Sequence, residues 1–201
     1  MRKTPQQFRR ESVKELFNKV LGENKTELSP LSINISESLD DDFTTVDLMF
    51  SEKSNHSVKI IDSKEIKAKG FVDGLFLGLH EQYAEKYKSL DKIKLVDIMV
   101  NPIMKAATVR GSDAKTAVVF RVEVQDHGVS EFQHESRSMI YSSFVSSLEA
   151  FQFYINCERT FHKIRMAAED ASQRNRGDIL QSCMTDLSKL TEVNTYEAKG
   201  S

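Results

Sequence analysis

Metal binding and nucleophilic catalysis are the chemistries most readily built from histidine and cysteine, and this chain has five of the first and two of the second. No pair among His56, His80, His127, His134 and His162 has the HxH or HExxH spacing that brings two imidazoles to one metal ion. Cys157 and Cys183 form neither a CxxC pair nor a zinc pattern and read as two free thiols. P-loop, GxGxxG and GxSxG signatures are lacking as well, so the sequence assigns no catalytic residue, metal or cofactor.

Carboxylates and glycines offer more. Asp40, Asp41 and Asp42 form a run expected to be solvated. Asp73 falls in the first turn of a helix expected after Gly70, where a carboxylate faces the positive end of the helix dipole. That placement stabilises a helix start as readily as it serves a ligand. Gly70 could supply an unusual backbone angle or a close approach, and the free N–H groups beyond it can receive an anion such as an amino acid's carboxylate. A plain strand-to-helix turn accounts for it equally well.

These residues must be positioned by elements that the apolar spacing reveals. Thr4 and Pro5 open a helix carrying Phe8, Val13, Leu16, Phe17 and Val20, which ends near Gly22 and reads as a possible arm. Residues 23–42 are polar and read as a linker with at most one short strand, Leu31 to Ile35. Val46, Leu48 and Phe50 alternate as a strand, and Val58 to Ile61 and Ile66 to Lys69 read as two more. Val72, Leu75, Phe76, Leu79 and Tyr83 then give a helix with one buried face, with His80 on its flank. The pattern recurs. Strands at Ile93 to Val100, Ala117 to Gln125 and Val129 to His134 precede a helix bearing Ile140, Phe144, Leu148, Phe151 and Ile155, with Ser136 and Ser138 as candidate N-caps.

The helical tail from Glu158 to about Leu190 is expected to break near Asn175, Arg176 and Gly177, with Gly177 as the C′ residue and Asp178 as the next cap. Its stripe of Met166, Ile179, Leu180, Met184, Leu187 and Leu190 is too long to stay uncovered. The Arg176-Gly177-Asp178 adhesion-type tripeptide is assigned no role. The resulting division is an N-terminal helix (1–22), a polar linker (23–42), a central domain (43–157), a helical extension (158–191) and a frayed tail (192–201). The fold class is α+β, with two pseudo-symmetric βββα-like repeats and extra helices at both ends.

With 28 Lys+Arg against 30 Asp+Glu, a net charge of -2 and an isoelectric point near 6.2, the chain has no general field for a polyanion. Neither the Val118, Phe120, Val122 and Val124 face of its strongest strand nor the Ala117, Val119, Arg121 and Glu123 face is the basic, aromatic surface RNA requires. Met1 to Phe17 contains no apolar signal core, and no run reaches the ~18 apolar residues of a spanning helix. The expectation is a soluble, cytoplasmic protein contacting neither nucleic acid nor membrane, for which the sequons at Asn24 and Asn34 carry no weight.

Three segments together carry a family likeness: Ala68 to Phe76, Leu95-Val96-Asp97-Ile98, and Ala114 to Val122. In order and spacing they resemble the C-terminal regulatory domain of 2-isopropylmalate synthase and citramalate synthase, whose pattern runs G-x-G-P-V-D-A-L-F, L-x-D-Y, A-x-T-A-x-V-x-V. Ser136 to Phe153 follows the family's final helix. The resemblance spans about residues 43–157. It implies a homodimer of doubled strand-and-helix repeats that binds leucine or isoleucine as a feedback effector, with Gly70, Val72, Asp73, Asp97, Ile98, Val100, Ser138 and Met139 lining the site. Ala68, Phe71, Gly74 and Ile98 depart from the pattern and alter the effector loop. The family's acetyl-CoA-dependent, metal-binding barrel has no counterpart in this chain. Three alternatives stay open: a dimerisation module without an effector, a fragment of a full acyltransferase, or a partner of a separate catalytic subunit.

Overall fold

The computed structural model describes residues 5–38, 40–103 and 115–196. Thr4, Ala114 and residues 197–201, on which expectations were placed, lie outside it. The elements are α1 (Pro5–Val20), β1 (Glu27–Glu37), β2 (Thr44–Ser54), β3 (Ser57–Ala68), α2 (Phe71–Tyr83), β4 (Ile93–Ile103), β5 (Lys115–Val124), β6 (Gly128–Ser136), α3 (Met139–Gln173) and α4 (Gly177–Thr191). Two three-stranded antiparallel sheets, ordered β1-β2-β3 and β4-β5-β6, each end in a helix, so the chain is α+β with two βββα units and helices at both ends. Among the described residues no helix is long and apolar enough to cross a membrane.

The first unit takes different strands from those expected. Residues 27–37, expected to be mostly linker, form an eleven-residue edge strand paired with β2. The alternation is disguised by a bulge at Leu31: Leu28 and Pro30 face inward before it, Ile33 and Ile35 after it, and Leu31 is left exposed. Likewise the segments read as two strands, Val58 to Ile61 and Ile66 to Lys69, are one strand. Its bulge at Lys64 and Glu65 shifts the inward set from Ile61 and Ser63 to Ile66 and Ala68. Glu65 there has φ of +58° and donates its N–H to Asp47 Oδ1 at 2.9 Å. A third bulge lies at Val96 in β4. All three sit on edge strands, where a bulge bends the backbone away from pairing with another chain.

One core joins the two units. α2 packs on β2 and β3, whereas α3 packs on β5, β6, β1, α1, α2 and α4. Gly74 and Gly78 let α2 settle on the first sheet: a Cβ at Gly74 would lie 2.7 Å from Val46 Cγ2, and one at Gly78 would collide with Ile66 and lie 3.0 Å from Leu48 Cδ1. Phe50 meets Phe144 edge-on at 6.3 Å and Phe76 meets Phe151 at 4.9 Å, so aromatic rings stitch the first unit to the second unit's helix.

α3 runs unbroken for 35 residues, so no element boundary falls at 157. It ends at Arg174, after which Asn175 (φ +56°), not Gly177, adopts the left-handed conformation; Gly177 is the first residue of α4, and Arg176, not Asp178, precedes it. α1 is no arm, because Val13, Leu16 and Phe17 are buried in the core. Residues 192–196 do not fray either. Asn194 is buried, Tyr196 stacks on Phe161 at 4.4 Å, and Thr195 reaches His127.

Candidate functional site

The two pseudo-symmetric helix starts, where an effector was expected, are built differently. α2 begins at Phe71 after Gly70, an extended residue (φ -167°) that supplies no side-chain cap to the first N–H groups of the helix. Any residue adopts that φ. Among the described residues nothing lies within 4 Å of a Cβ built on Gly70, so neither an unusual angle nor crowding requires glycine there. Val72 is half-buried and packs against the core with Phe71 and Phe76, whereas Asp73 is exposed. The carboxylate therefore faces solvent at the positive end of the helix.

α3 starts capped. Ser138 Oγ accepts the Tyr141 N–H at 3.2 Å, as expected of an N-cap. Ser136 Oγ donates to the Ser138 carbonyl at 2.7 Å and lies 2.8 Å from Ser142 Oγ, which in turn lies 3.3 Å from His134 Nδ1. This is an imidazole–hydroxyl contact, but Ser142 is fully buried and shares its bonds within the turn, so the group holds the helix start in place. Met139, Ile140 and Tyr141 are exposed on the first turn.

The expected residues of β4 part company. Asp97 is paired across the sheet with Arg121, which bonds Asp97 Oδ2 at 3.4 Å and Glu131 Oε1 at 3.0 Å. This three-strand ladder occupies the face turned away from α3. Ile98 and Val100 pair with Phe120 and Val118, whose side chains are buried in the core, so they sit on the opposite face. Val100 and His134 flank Val118 in register, which places Val100 at the same end of the second sheet as the α3 start. The expected set thus divides into Gly70, Val72 and Asp73 at α2; Val100, Ser138 and Met139 at one end of the second sheet, with Ile98 at mid-strand on the same face as Val100; and Asp97 alone on its outer face.

Other ionisable groups serve structure. Glu158 is buried, accepting the Ser89 N–H at 3.0 Å with His162 Nε2 at 3.5 Å from its other oxygen. Tyr83 donates to Glu52 Oε2 at 3.0 Å, and burial followed by that carboxylate's charge pushes its pKa up. Burial likewise raises the Cys157 thiol. Among the described residues no three His, Cys, Asp or Glu side chains gather as metal ligands.

A cleft that the sequence did not announce lies between α1 and α3, with Lys14, Phe17, Phe132, Glu149, Gln152 and Phe153 in its walls. Its one sequence signal is a polar stripe, Glu149, Gln152 and Asn156, at helical spacing in the largely buried middle of α3. Comparison with protein-family models gave no match, and neither did comparison with curated proteins.

Proposed function

We propose that this chain is a non-catalytic regulatory module, homodimeric and cytoplasmic, of the kind that 2-isopropylmalate and citramalate synthases carry, and that it senses a branched-chain amino acid. The observation that supports this reading is the tandem of two βββα units sharing one core, the arrangement the resemblance implies. In this reading the effector, leucine or isoleucine, sits before α2. Its carboxylate meets the uncapped N–H groups, its ammonium meets Asp73, and Val72 lies beside its side chain. Asp97 takes no part, because Arg121 already occupies its carboxylate.

A second reading, a dimerisation module without an effector, is favoured by the same ladder and by the Ser138 cap, which commit two of the expected ligand residues to structure. Thermal unfolding with leucine, isoleucine, valine and an unrelated amino acid, alongside light scattering for mass, separates the two. Sensing predicts a selective rise in Tm that Asp73→Ala abolishes and Asp97→Asn leaves in place. A dimer whose Tm responds to none of them is the structural module.

A further inference from the structure

We propose that the cleft between α1 and α3 is a binding site for a small carboxylic acid with an apolar body. Its walls come from α1 on one side and from α3 and Phe132 on the other, away from the α2 start, and it does not depend on the reading given above. The cleft is open on one side and has a volume of about 270 Å³, just below the range of about 300–1,000 Å³ usual for small-molecule sites. Phe17, Phe132 and Phe153 give it an aromatic floor, with ring centroids 5.6 Å apart for Phe17–Phe153 and 5.9 Å for Phe132–Phe153. All three rings belong to the core and are at most 6% exposed, so each offers the cleft only a small patch of apolar surface, held in place by its neighbours.

The rim carries charges of both signs: Lys25 and Glu27 pair at 3.6 Å, whereas Lys14 and Glu149 act on each other without a close contact. Lys14 and Glu149 both line the cleft, yet no ion pair joins them, nor joins either to another described residue. Partial desolvation of its ammonium, and then the nearby Arg10, draw the Lys14 pKa below the ordinary lysine value against the opposite pull of Glu149 and Glu11, to which a bound carboxylate would add. Gln152 adds a neutral donor. Its carboxamide oxygen accepts the Leu28 N–H at 2.8 Å, which fixes the side chain and leaves its NH2 group without a partner among the described residues. A carboxylate therefore meets Lys14 and the Gln152 amide, with its hydrocarbon on the phenylalanines. Glu149 would receive an ammonium if the acid carries one, so an amino acid and its 2-oxo counterpart share the site's chemistry and differ at that contact.

Calorimetric titration of the full chain with leucine, phenylalanine and their matching 2-oxo acids tests this. Saturable binding at millimolar concentration or below is expected. Lys14→Gln should weaken every acid by about tenfold or more, the loss of one charge-assisted contact, and Glu149→Gln should weaken only the amino acids. Both residues are exposed, and an unchanged circular-dichroism melt establishes that the variants fold. Absence of binding by any of these acids overturns the proposal. So does binding that Lys14→Gln leaves intact, and if Asp73→Ala removes that binding, the ligand sits before α2 and the earlier reading stands without this one.

Discussion

Asn156, on the helix of the second unit, clasps the backbone of Thr26 at the start of the first: its Nδ2 donates to the Thr26 carbonyl and its Oδ1 accepts the Thr26 N–H, both at 2.8 Å. Both residues are buried. Gln152 one turn earlier holds Leu28, and Arg159 bonds Thr26 Oγ1, Ser54 Oγ and Asn55 Oδ1, so one face of α3 fixes the entry of β1 and the β2–β3 turn. Asn156→Ala strands two buried backbone groups and should destabilise by about 2–4 kcal/mol. Urea unfolding measures it, with Thr26→Ser, which keeps the clasped backbone groups and loses only a buried methyl, as the milder control at about 1 kcal/mol.

Replacing glycine by alanine within a helix ordinarily adds about 1 kcal/mol of stability. Gly74→Ala and Gly78→Ala should instead destabilise by about 1–3 kcal/mol each, with Gly78 the worse, because the new methyl group meets Val46 in one case and both Ile66 and Leu48 in the other. Gly70→Ala should stay within about 0.5 kcal/mol, since its backbone is extended and the space is open. Thermal melts of the three variants give the order directly.

The two helix starts should respond unequally to loss of a side chain. Ser138→Ala removes the oxygen that caps α3 and should cost about 1 kcal/mol in denaturant unfolding, whereas α2 has no side-chain cap to lose.

Asp186 ties α4 to α1 through Lys19 at 2.7 Å and also meets Lys189 at 3.2 Å. Burial alone would raise its pKa, but the two lysines together hold it below the ordinary aspartate value. A depressed folded-state pKa stabilises in full above the unfolded value and ceases to do so as pH falls through the folded one. The stability gap between the parent and Asp186→Asn should therefore be constant near neutrality and shrink below about pH 4. Its size should be about 1 kcal/mol, because both lysines face solvent.

Both cysteines are free, one buried and one partly exposed. The thiolate is the reactive form, and burial raises the Cys157 pKa. A disulfide reagent should label Cys183 of the native chain quickly and Cys157 only at the rate of unfolding, a two-phase time course that Cys183→Ser reduces to its slow phase.

Elements whose signal is local were legible in the sequence. α2 begins and ends where the spacing of Val72, Leu75, Leu79 and Tyr83 places it, and the strands of the second unit fall close to their expected bounds, because each buried face there has a regular period. The doubling of strands and helix was legible for the same reason. β1 was not, because the bulge at Leu31 moves its inward residues from even to odd positions, and a period that changes phase halfway cancels itself in a linear reading.

The candidate site divides along the same line. The sequence by itself determined that Asp73 stands in the first turn of a helix after Gly70 and that Ser136 or Ser138 caps another, the structure choosing Ser138, since caps and first turns involve residues a few positions apart. Only the tertiary structure decided that Asp97 is occupied by Arg121 on the face opposite Ile98, that Gly74 and Gly78 rather than Gly70 are the glycines the packing requires, and that Lys14, Phe132 and Glu149 share a cleft. Those relations join residues far apart in the chain. They are set by strand register and by the packing of α1 and α3, neither of which leaves a periodic trace.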